Sequence, residues 1–216
     1  MKKSRKTVCI FAAGAAAAAV MITGTMAYLT DYDTVTNEFT VGKVDIDVTE
    51  PTWDPEENDD LLPTQEIDKD PQITNSGINE AYVYLEVSVP IRSLITADAS
   101  GNRIDEAPIE LFSFQADENW TLMDSYEKDS NQIYIYSYNE ILPPAETTTA
   151  LFEKMTFANV VEGQIDGQTF EIPVRGYAIQ TTNTGGDGES IPEQAKNAFE
   201  AYINQNAGYE GEVTTV

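Results

Sequence analysis

The stretch A-Y-V-Y-L-E-V-S-V-P at residues 81–90 is the segment that decides the fold class. β-Branched and aromatic residues dominate it, which is typical of a β-strand. Both alternating sets of side chains are largely apolar, so both faces of this strand are predicted to be buried. Residues 81–90 therefore predict a strand at the centre of a sheet rather than at its edge.

Shorter segments of the same character flank this strand along the chain. Upstream, Val41, Val44, Ile46 and Val48 alternate with polar residues, which predicts a strand with one buried face. The other predicted strands are residues 71–74, 109–114, 120–126, 132–138, 147–157 and 169–180. Turn residues separate them, and Asp166-Gly167 predicts a hairpin turn. Many short strands joined by such turns indicate an all-β, antiparallel β-sandwich.

One segment near the carboxyl end has a helical pattern. Ser190 suits a helix N-cap, Pro192 the first turn, and Glu193 adds negative charge at the amino end. The apolar residues that follow fall on one face: Ile191, Ala195, Ala198, Phe199, Tyr202 and Ile203. The glycine-rich residues 184–189 before them are interpreted as a flexible joint. The predicted organisation is a sandwich at 40–183 and a joint, amphipathic helix and tail at 184–216.

The first 27 residues are organised like an export signal. Basic residues at 2–6 precede an uncharged, alanine-rich run at 8–22, and small residues at 25–27 suit a signal peptidase. The predicted cut lies between Ala27 and Tyr28. Retention as a membrane anchor is the alternative, but the apolar run is short and weakly hydrophobic for a span. After cleavage no stable membrane span is expected.

Charge and composition exclude several classes of function. The chain has 12 basic and 37 acidic residues, and four basic residues precede Tyr28, so the exported chain has a net charge near −29. Such a surface repels nucleic acids and anionic membranes. Histidine is absent and Cys9 is the only cysteine, which excludes the usual zinc sites, Ser-His-Asp and Cys-His catalysis, and disulfide bonds.

Carboxylates are dense in the proline-bracketed segment 51–63. Candidate oxygen ligands for calcium are Asp54, Glu56, Glu57, Asp59 and Asp60. Their spacing does not match an EF-hand loop, so a solvated acidic loop is the favoured interpretation. The prediction is therefore a protein without a cofactor, with calcium as the one candidate.

Tyrosines alternate along two of the predicted strands. Tyr134, Tyr136 and Tyr138 would line one face of a strand, and Tyr82 and Tyr84 would do so elsewhere. A tyrosine-lined face can bind sugars or a partner subunit. A half-buried sheet face is the more common explanation and is preferred here.

The segment Y-L-T-D-Y-D-T-V-T-N-E-F-T-V-G-K-V-D-I-D-V at 28–48, after an alanine-rich signal, resembles the TasA/camelysin family of exported Gram-positive proteins. The likeness continues in shorter pieces at residues 53–55, 69–71, 74–77, 81–84, 142–152 and 176–180. The resemblance implies a jelly-roll β-sandwich and cleavage by a SipW-type signal peptidase. It also implies a secreted protein of the extracellular matrix or cell surface of a Gram-positive bacterium.

Proteins similar to TasA form biofilm fibres by donating an amino-terminal strand to the next subunit, which implies self-association and matrix proteins as partners. The donor candidate in this chain is residues 28–39. Its assembly residues are Thr30, at the start of the stretch freed by cleavage, and Val35 and Phe39, the apolar anchors. The alternative is that the segment folds back as an ordinary first strand of its own chain.

Camelysin-type members are described as metallo-endopeptidases that act on casein. This chain lacks histidine and any HExxH-like helix, so the ligands for a metal-bound water are missing and the prediction is a protein that is not an enzyme. The leading interpretation is a secreted structural subunit, or an accessory protein, of matrix fibres. The alternatives are a secreted hydrolase that uses carboxylates, and a monomeric adhesin or carbohydrate-binding module.

Overall fold

The computed structural model describes residues 39–40, 43–54 and 61–205. These residues form twelve strands and one helix. The elements are β1 (Phe39–Thr40), β2 (Lys43–Val44), β3 (Ile46–Thr49), β4 (Glu66–Asp68), β5 (Gln72–Asn75), β6 (Ala81–Ala97), β7 (Arg103–Glu110), β8 (Phe112–Phe114), β9 (Trp120–Lys128), β10 (Asn131–Tyr138), β11 (Lys154–Phe157), β12 (Val174–Gln180) and α1 (Ile191–Gln205).

The first sheet is built around β6. Its strand order is β12-β6-β10-β9, and each neighbouring pair is antiparallel. The central position predicted for residues 81–90 is therefore confirmed. Val83 and Leu85 are buried on one face of β6, while Tyr82 and Tyr84 are buried on the other.

The second sheet faces the first across the main core. It contains β4-β11-β8 in that order and the pair β3-β5, again antiparallel. Main-chain hydrogen bonds join the three-stranded part to the β3-β5 pair. The Thr148 N–H donates to the Ile73 carbonyl at 2.9 Å, and the Leu151 N–H donates to the Pro71 carbonyl at 3.0 Å. The fully buried side chains of this core include Ile46, Ile73, Leu85, Leu111, Leu151, Phe152 and Met155.

β6 is longer than its sequence pattern predicts. It runs past Pro90 to Ala97, and this extension pairs with β7. Only the last two residues of β7 fall within a predicted strand, 109–114, because R-I-D-E-A-P-I-E combines charges with a proline and gives a weak strand pattern. Pairing with β6 nevertheless holds it extended.

The hairpin predicted at Asp166-Gly167 is wrong. The pair does form a turn, in which the Gln168 N–H donates to the Ile165 carbonyl at 3.1 Å, but no paired strands flank it. The predicted strand at 169–180 begins only at Val174. Apolar side chains of the intervening loop pack against the main core instead, namely Ile165, Phe170 and Ile172.

The helix α1 covers the outer face of the first sheet. Ser190 caps it as predicted, since its carbonyl accepts the Gln194 N–H at 2.9 Å and its hydroxyl accepts the Glu193 N–H at 3.4 Å. Buried residues of the helix meet those of the sheet in a second, smaller core of Ala195, Ala198, Phe199, Tyr82, Tyr84, Ile133 and Ile135. The predicted all-β antiparallel sandwich with a C-terminal amphipathic helix is confirmed.

The glycines just before α1 permit close packing. A Cβ atom on Gly186 would stand 3.0 Å from Tyr82 Cε2, and one on Gly188 would stand 2.9 Å from Glu193 Cγ. Gln194 Nε2 also donates to the Gly188 carbonyl at 3.0 Å. The segment interpreted as a joint is therefore held against the start of the helix.

Candidate functional site

Both sheets end on one flank of the sandwich. Among the strands that the structure describes, β9 pairs only with β10 and β8 only with β11. The ring of Phe114 in β8 lies 5.7 Å from that of Tyr134 and 6.1 Å from that of Tyr136, both in β10. The second sheet therefore ends above β10, and β9 lies beyond it.

A strip of apolar side chains stays partly exposed there. Leu122 of β9 is 47 % exposed and lies directly across from Tyr136. Tyr134, Tyr136 and Phe114 are half-buried and pack against the main core. We call these four residues the open flank. A strand laid over them would remove apolar surface from water, which stabilises by about 25 cal/mol per Å².

A carboxylate marks one end of the open flank. The Tyr134 hydroxyl donates to Glu110, 2.8 Å from Oε1 and 2.9 Å from Oε2. Burial, and then this hydrogen bond, raise the pKa of Tyr134 far above its ordinary value, while burial and the Glu110 charge raise the pKa of Tyr136. Both hydroxyls therefore stay protonated to a higher pH than that of an exposed tyrosine, and Tyr134 is oriented by its carboxylate partner.

The main-chain edge of β9 is also less protected than that of β7. In β7, Pro108 lacks an N–H group and the exposed Asp105 and Glu106 add charge, three features that discourage strand addition. In β9, residues 120–123 include no proline and no charged residue, whereas the exposed Glu127 and Lys128 put charge on the second half of the strand. The first half of β9 is therefore more receptive to strand addition than β7.

The tyrosine pattern divides between the two cores. Tyr138 is buried with its ring 5.1 Å from Trp120, whereas Tyr134 and Tyr136 are half-buried on the same face of β10. Tyr82 and Tyr84 lie under α1, where their hydroxyls donate to Gln194 Oε1 at 3.0 Å and to the Ala195 carbonyl at 2.8 Å. The interpretation as a half-buried sheet face holds for Tyr134 and Tyr136, whereas Tyr82, Tyr84 and Tyr138 are buried.

The donor candidate enters the described chain at the opposite flank. Phe39 pairs with Val44 and Thr40 with Lys43, and β2 contacts β12, the far edge strand of the first sheet. Other residues assigned to export and assembly lie outside the described residues: Ala27, Tyr28, Thr30 and Val35. For Phe39 the structure describes the backbone alone.

The acidic loop is described only at its base. Asp54 is exposed, and the remaining calcium candidates, Glu56, Glu57, Asp59 and Asp60, lie outside the described residues. At the base, the Lys69 ammonium pairs with Glu50 at 2.6 Å and lies 5.0 Å from the centroid of the Trp53 ring. Because Lys69 is buried, this ion pair anchors the start of the loop to the end of β4.

A model of the camelysin metallo-endopeptidase family matches residues 2–117, just over half of the chain. The match spans the predicted export signal, the donor candidate and all strands through β8. The chain belongs to the camelysin family. No curated protein and no solved structure matches it.

The residues of this camelysin-family chain do not fit the metal that the family description implies. The sequence has no histidine, and its one cysteine precedes the predicted cut. Within residues 43–54 and 61–205, no three carboxylates come close enough to hold a metal ion. Neutral imidazole and thiolate are the ligands on which most zinc sites depend. No catalytic step through a metal can be derived from these residues.

In the described part of this camelysin-family chain, no helix combines the length and the apolar character that a membrane crossing requires.

Proposed function

We propose that this chain is an exported structural protein of the extracellular matrix that assembles into fibres by strand donation. The amino-terminal segment, freed by a SipW-type signal peptidase, adds as a strand to the open flank of the next copy. The observation that carries the proposal is the open flank itself, where β9, which pairs only with β10 among the described strands, borders a partly exposed apolar strip. Membership of the camelysin family supports it.

Strand addition would pair the main-chain edge of β9 and cover the apolar strip of the open flank. Main-chain groups of the donor would pair with the outer edge of β9, and an apolar side chain such as Val35 would cover Leu122. Alternation places Thr34 and Thr36 on the other face of the donor. In the single chain Phe39 pairs with Val44, so its use as an anchor requires this short pairing to open.

The positions of donor and acceptor favour an open polymer. Phe39, the last residue of the donor, pairs with β2 beside β12, whereas the open flank borders β9 at the other end of the sheet order. The two edges are three strand spacings apart, about 14 Å. Each copy can therefore donate to one neighbour and accept from another. Such a heterologous contact repeats without closing and gives filaments.

The test uses the chain that begins at Tyr28. Electron microscopy and sedimentation should show filaments for the wild type and monomers for two variants, a deletion of residues 28–38 and Leu122→Lys. The matched control is Leu62→Lys, since Leu62 is 68 % exposed but lies outside the open flank. This control should form filaments normally. Equal thermal unfolding of all four proteins would show that the fold is retained.

Mixing the two defective variants sharpens the test. The deletion variant can accept a strand but cannot donate one, and Leu122→Lys can donate but accepts poorly. Together they should form a one-to-one dimer and stop there. The proposal is wrong if the wild-type chain stays monomeric at high concentration, at low pH and with calcium, or if Leu122→Lys polymerises as well as Leu62→Lys.

A second candidate function is endopeptidase activity, which the family description favours. The lack of histidine argues against it. Casein digestion by the purified chain, abolished by a chelator and restored by one metal, would establish this activity. If casein stays intact after prolonged incubation with calcium or zinc, endopeptidase activity is excluded and only the structural function remains.

A further inference from the structure

Two Asp-Gly pairs lie in the described part of the chain, at Asp166-Gly167 and Asp187-Gly188. The Asp-Gly sequence is chemically reactive, because glycine has no side chain to hinder attack of its own backbone nitrogen on the preceding aspartyl side chain. All four residues are exposed. Access to water therefore does not distinguish the two pairs, and any difference in reactivity must come from how firmly each backbone is held.

Asp187-Gly188 is held on both sides. The Asp187 N–H donates to the Gly185 carbonyl at 2.9 Å, and Asn197 Nδ2 donates to the Asp187 carbonyl. The Gly188 carbonyl accepts Gln194 Nε2 at 3.0 Å. A Cβ atom on Gly188 would stand 3.0 Å from the Gln194 nitrogen, so helix α1 also crowds this backbone. Rotation about the Asp187-Gly188 link requires several of these contacts to break together.

Asp166-Gly167 is held by much less. One turn hydrogen bond, from Gln168 to Ile165 at 3.1 Å, closes around the pair, and the Asp166 carboxylate accepts the Gly163 N–H at 3.0 Å. Gly167 has φ of +68°, and nothing lies within 4 Å of the position that its Cβ would occupy. Opening this turn exposes no buried side chain of the pair and breaks few bonds.

We propose that Asp166 is a site of spontaneous isoaspartate formation and that Asp187 is protected by the amino-terminal end of α1. The Gly167 nitrogen attacks Asp166 Cγ, loses its proton, and a side-chain oxygen leaves as water. This gives a five-membered succinimide. Water then opens the ring, and addition at the former main-chain carbonyl leaves the chain running through the side-chain carbon. One water is lost and one is gained, so no cofactor or co-reactant is needed.

The product changes the loop that leads into β12. An isoaspartyl link adds a methylene group to the main chain, and the former main-chain carbonyl of Asp166 becomes a carboxylate side group. The adjacent Ile165 packs against the main core, so the altered turn lies next to a residue that contributes to the packing of the sandwich. Protein that remains outside the cell for long periods would accumulate this change at one position.

The test is incubation of the chain from Tyr28 at neutral pH and 37 °C, followed by tryptic digestion and labelling with isoaspartyl methyltransferase. Cleavage after Lys154, Arg175 and Lys196 places the two pairs in separate peptides, 155–175 and 176–196. Label should appear in the first peptide about tenfold faster than in the second, the ratio expected when roughly one more hydrogen bond must open. Equal rates, or faster labelling of the second, would overturn the proposal.

Two controls separate protection by the fold from local sequence. In concentrated denaturant both peptides should label at similar rates, since each contains the same Asp-Gly pair. In the folded variant Asn197→Ala, which loses the bond to the Asp187 carbonyl, labelling at Asp187 should rise several-fold while that at Asp166 stays unchanged. Persistent protection of Asp187 in denaturant, or no effect of Asn197→Ala, would contradict the role given to α1.

Discussion

The side chains of β3 lie directly on the main chain of β12 at Gly176. A Cβ atom added there would stand 2.5 Å from Val48 Cγ2 and 3.1 Å from Ile46 Cδ1, closer than packed atoms normally approach. The missing side chain thus lets the second sheet close over the first on this flank. On the opposite flank no described strand covers Leu122, and the core stays partly exposed.

We expect Gly176→Ala to lower the free energy of unfolding by about 1–3 kcal/mol, because the added methyl overpacks the contact with Val48. Urea unfolding measures the change. Adding Val48→Ala to the same chain should make the two costs less than additive, since it removes the methyl that clashes. Strictly additive costs would show that Gly176 is required for another reason.

The element that seals the outer face of the first sheet is α1. Its Phe199 ring lies 5.0 Å from Tyr84 and 6.2 Å from Tyr177, and the Tyr84 hydroxyl donates into the helix at Ala195. Apolar packing thus places the helix, and a directional hydrogen bond sets its position along the strands. Both faces of β6 are buried because this second layer exists.

Phe199→Ala should cost about 3–5 kcal/mol in the free energy of unfolding, the range for removing a buried phenylalanine from a core. Urea unfolding followed by tyrosine fluorescence gives the value. Glu200→Ala, at the next position of the same helix, should stay within about 0.5 kcal/mol of the wild type. A loss for Phe199→Ala as small as that of Glu200→Ala would mean that α1 contributes little to the fold.

Across the whole molecule, buried tyrosines link stability to alkaline pH. Burial, reinforced by Tyr82, raises the pKa of Tyr84 well above its ordinary value. Burial, and then the charge of Glu86, raise the pKa of Tyr177, whose hydroxyl donates to Glu86 Oε2 at 2.8 Å. In the unfolded chain these hydroxyls ionise near pH 10, whereas in the folded chain they do not.

Stability should therefore fall as pH rises above about 10, since there the folded state holds more protons than the unfolded state. Each of Tyr84 and Tyr177 should lower the free energy of unfolding by about 1.4 kcal/mol per pH unit, until its folded-state pKa is reached. Urea midpoints between about pH 9 and pH 12, with absorbance at 295 nm reporting ionised tyrosine, provide the check. Tyr177→Phe should show a shallower decline, and a midpoint that is constant up to pH 12 would contradict the linkage.

The strand patterns in the sequence predict much of the first sheet, but they predict little of β7 and of the loop that leads into β12. The centre of β6, the start of β9 and the cap at Ser190 follow from local composition and spacing. β7 does not, because its extended form depends on pairing with β6 rather than on its own residues. The hairpin predicted at Asp166-Gly167 fails for a similar reason, because the turn forms but the residues that flank it pack against the core instead of pairing as strands.

The candidate site is also recognisable only in part from sequence. Alternation predicts that Tyr134 and Tyr136 share a face with Tyr138, and the structure agrees. It gives no sign that Leu122 completes an exposed strip with them, or that Phe114 marks the end of the second sheet. Those facts depend on which strands lie across the core, which no local pattern records.

The sequence by itself determined the all-β class, the C-terminal helix and the absence of histidine-based chemistry, because alternation, helix caps and composition are local properties. Only the tertiary structure decided that β3 closes one flank at Gly176, that no described strand covers Leu122 on the other, and that α1 donates hydrogen bonds to the backbone of Asp187-Gly188. The physical reason is that a period of two residues tells which side chains share a face of a strand. Whether that face or edge is then covered depends on residues far away in the chain.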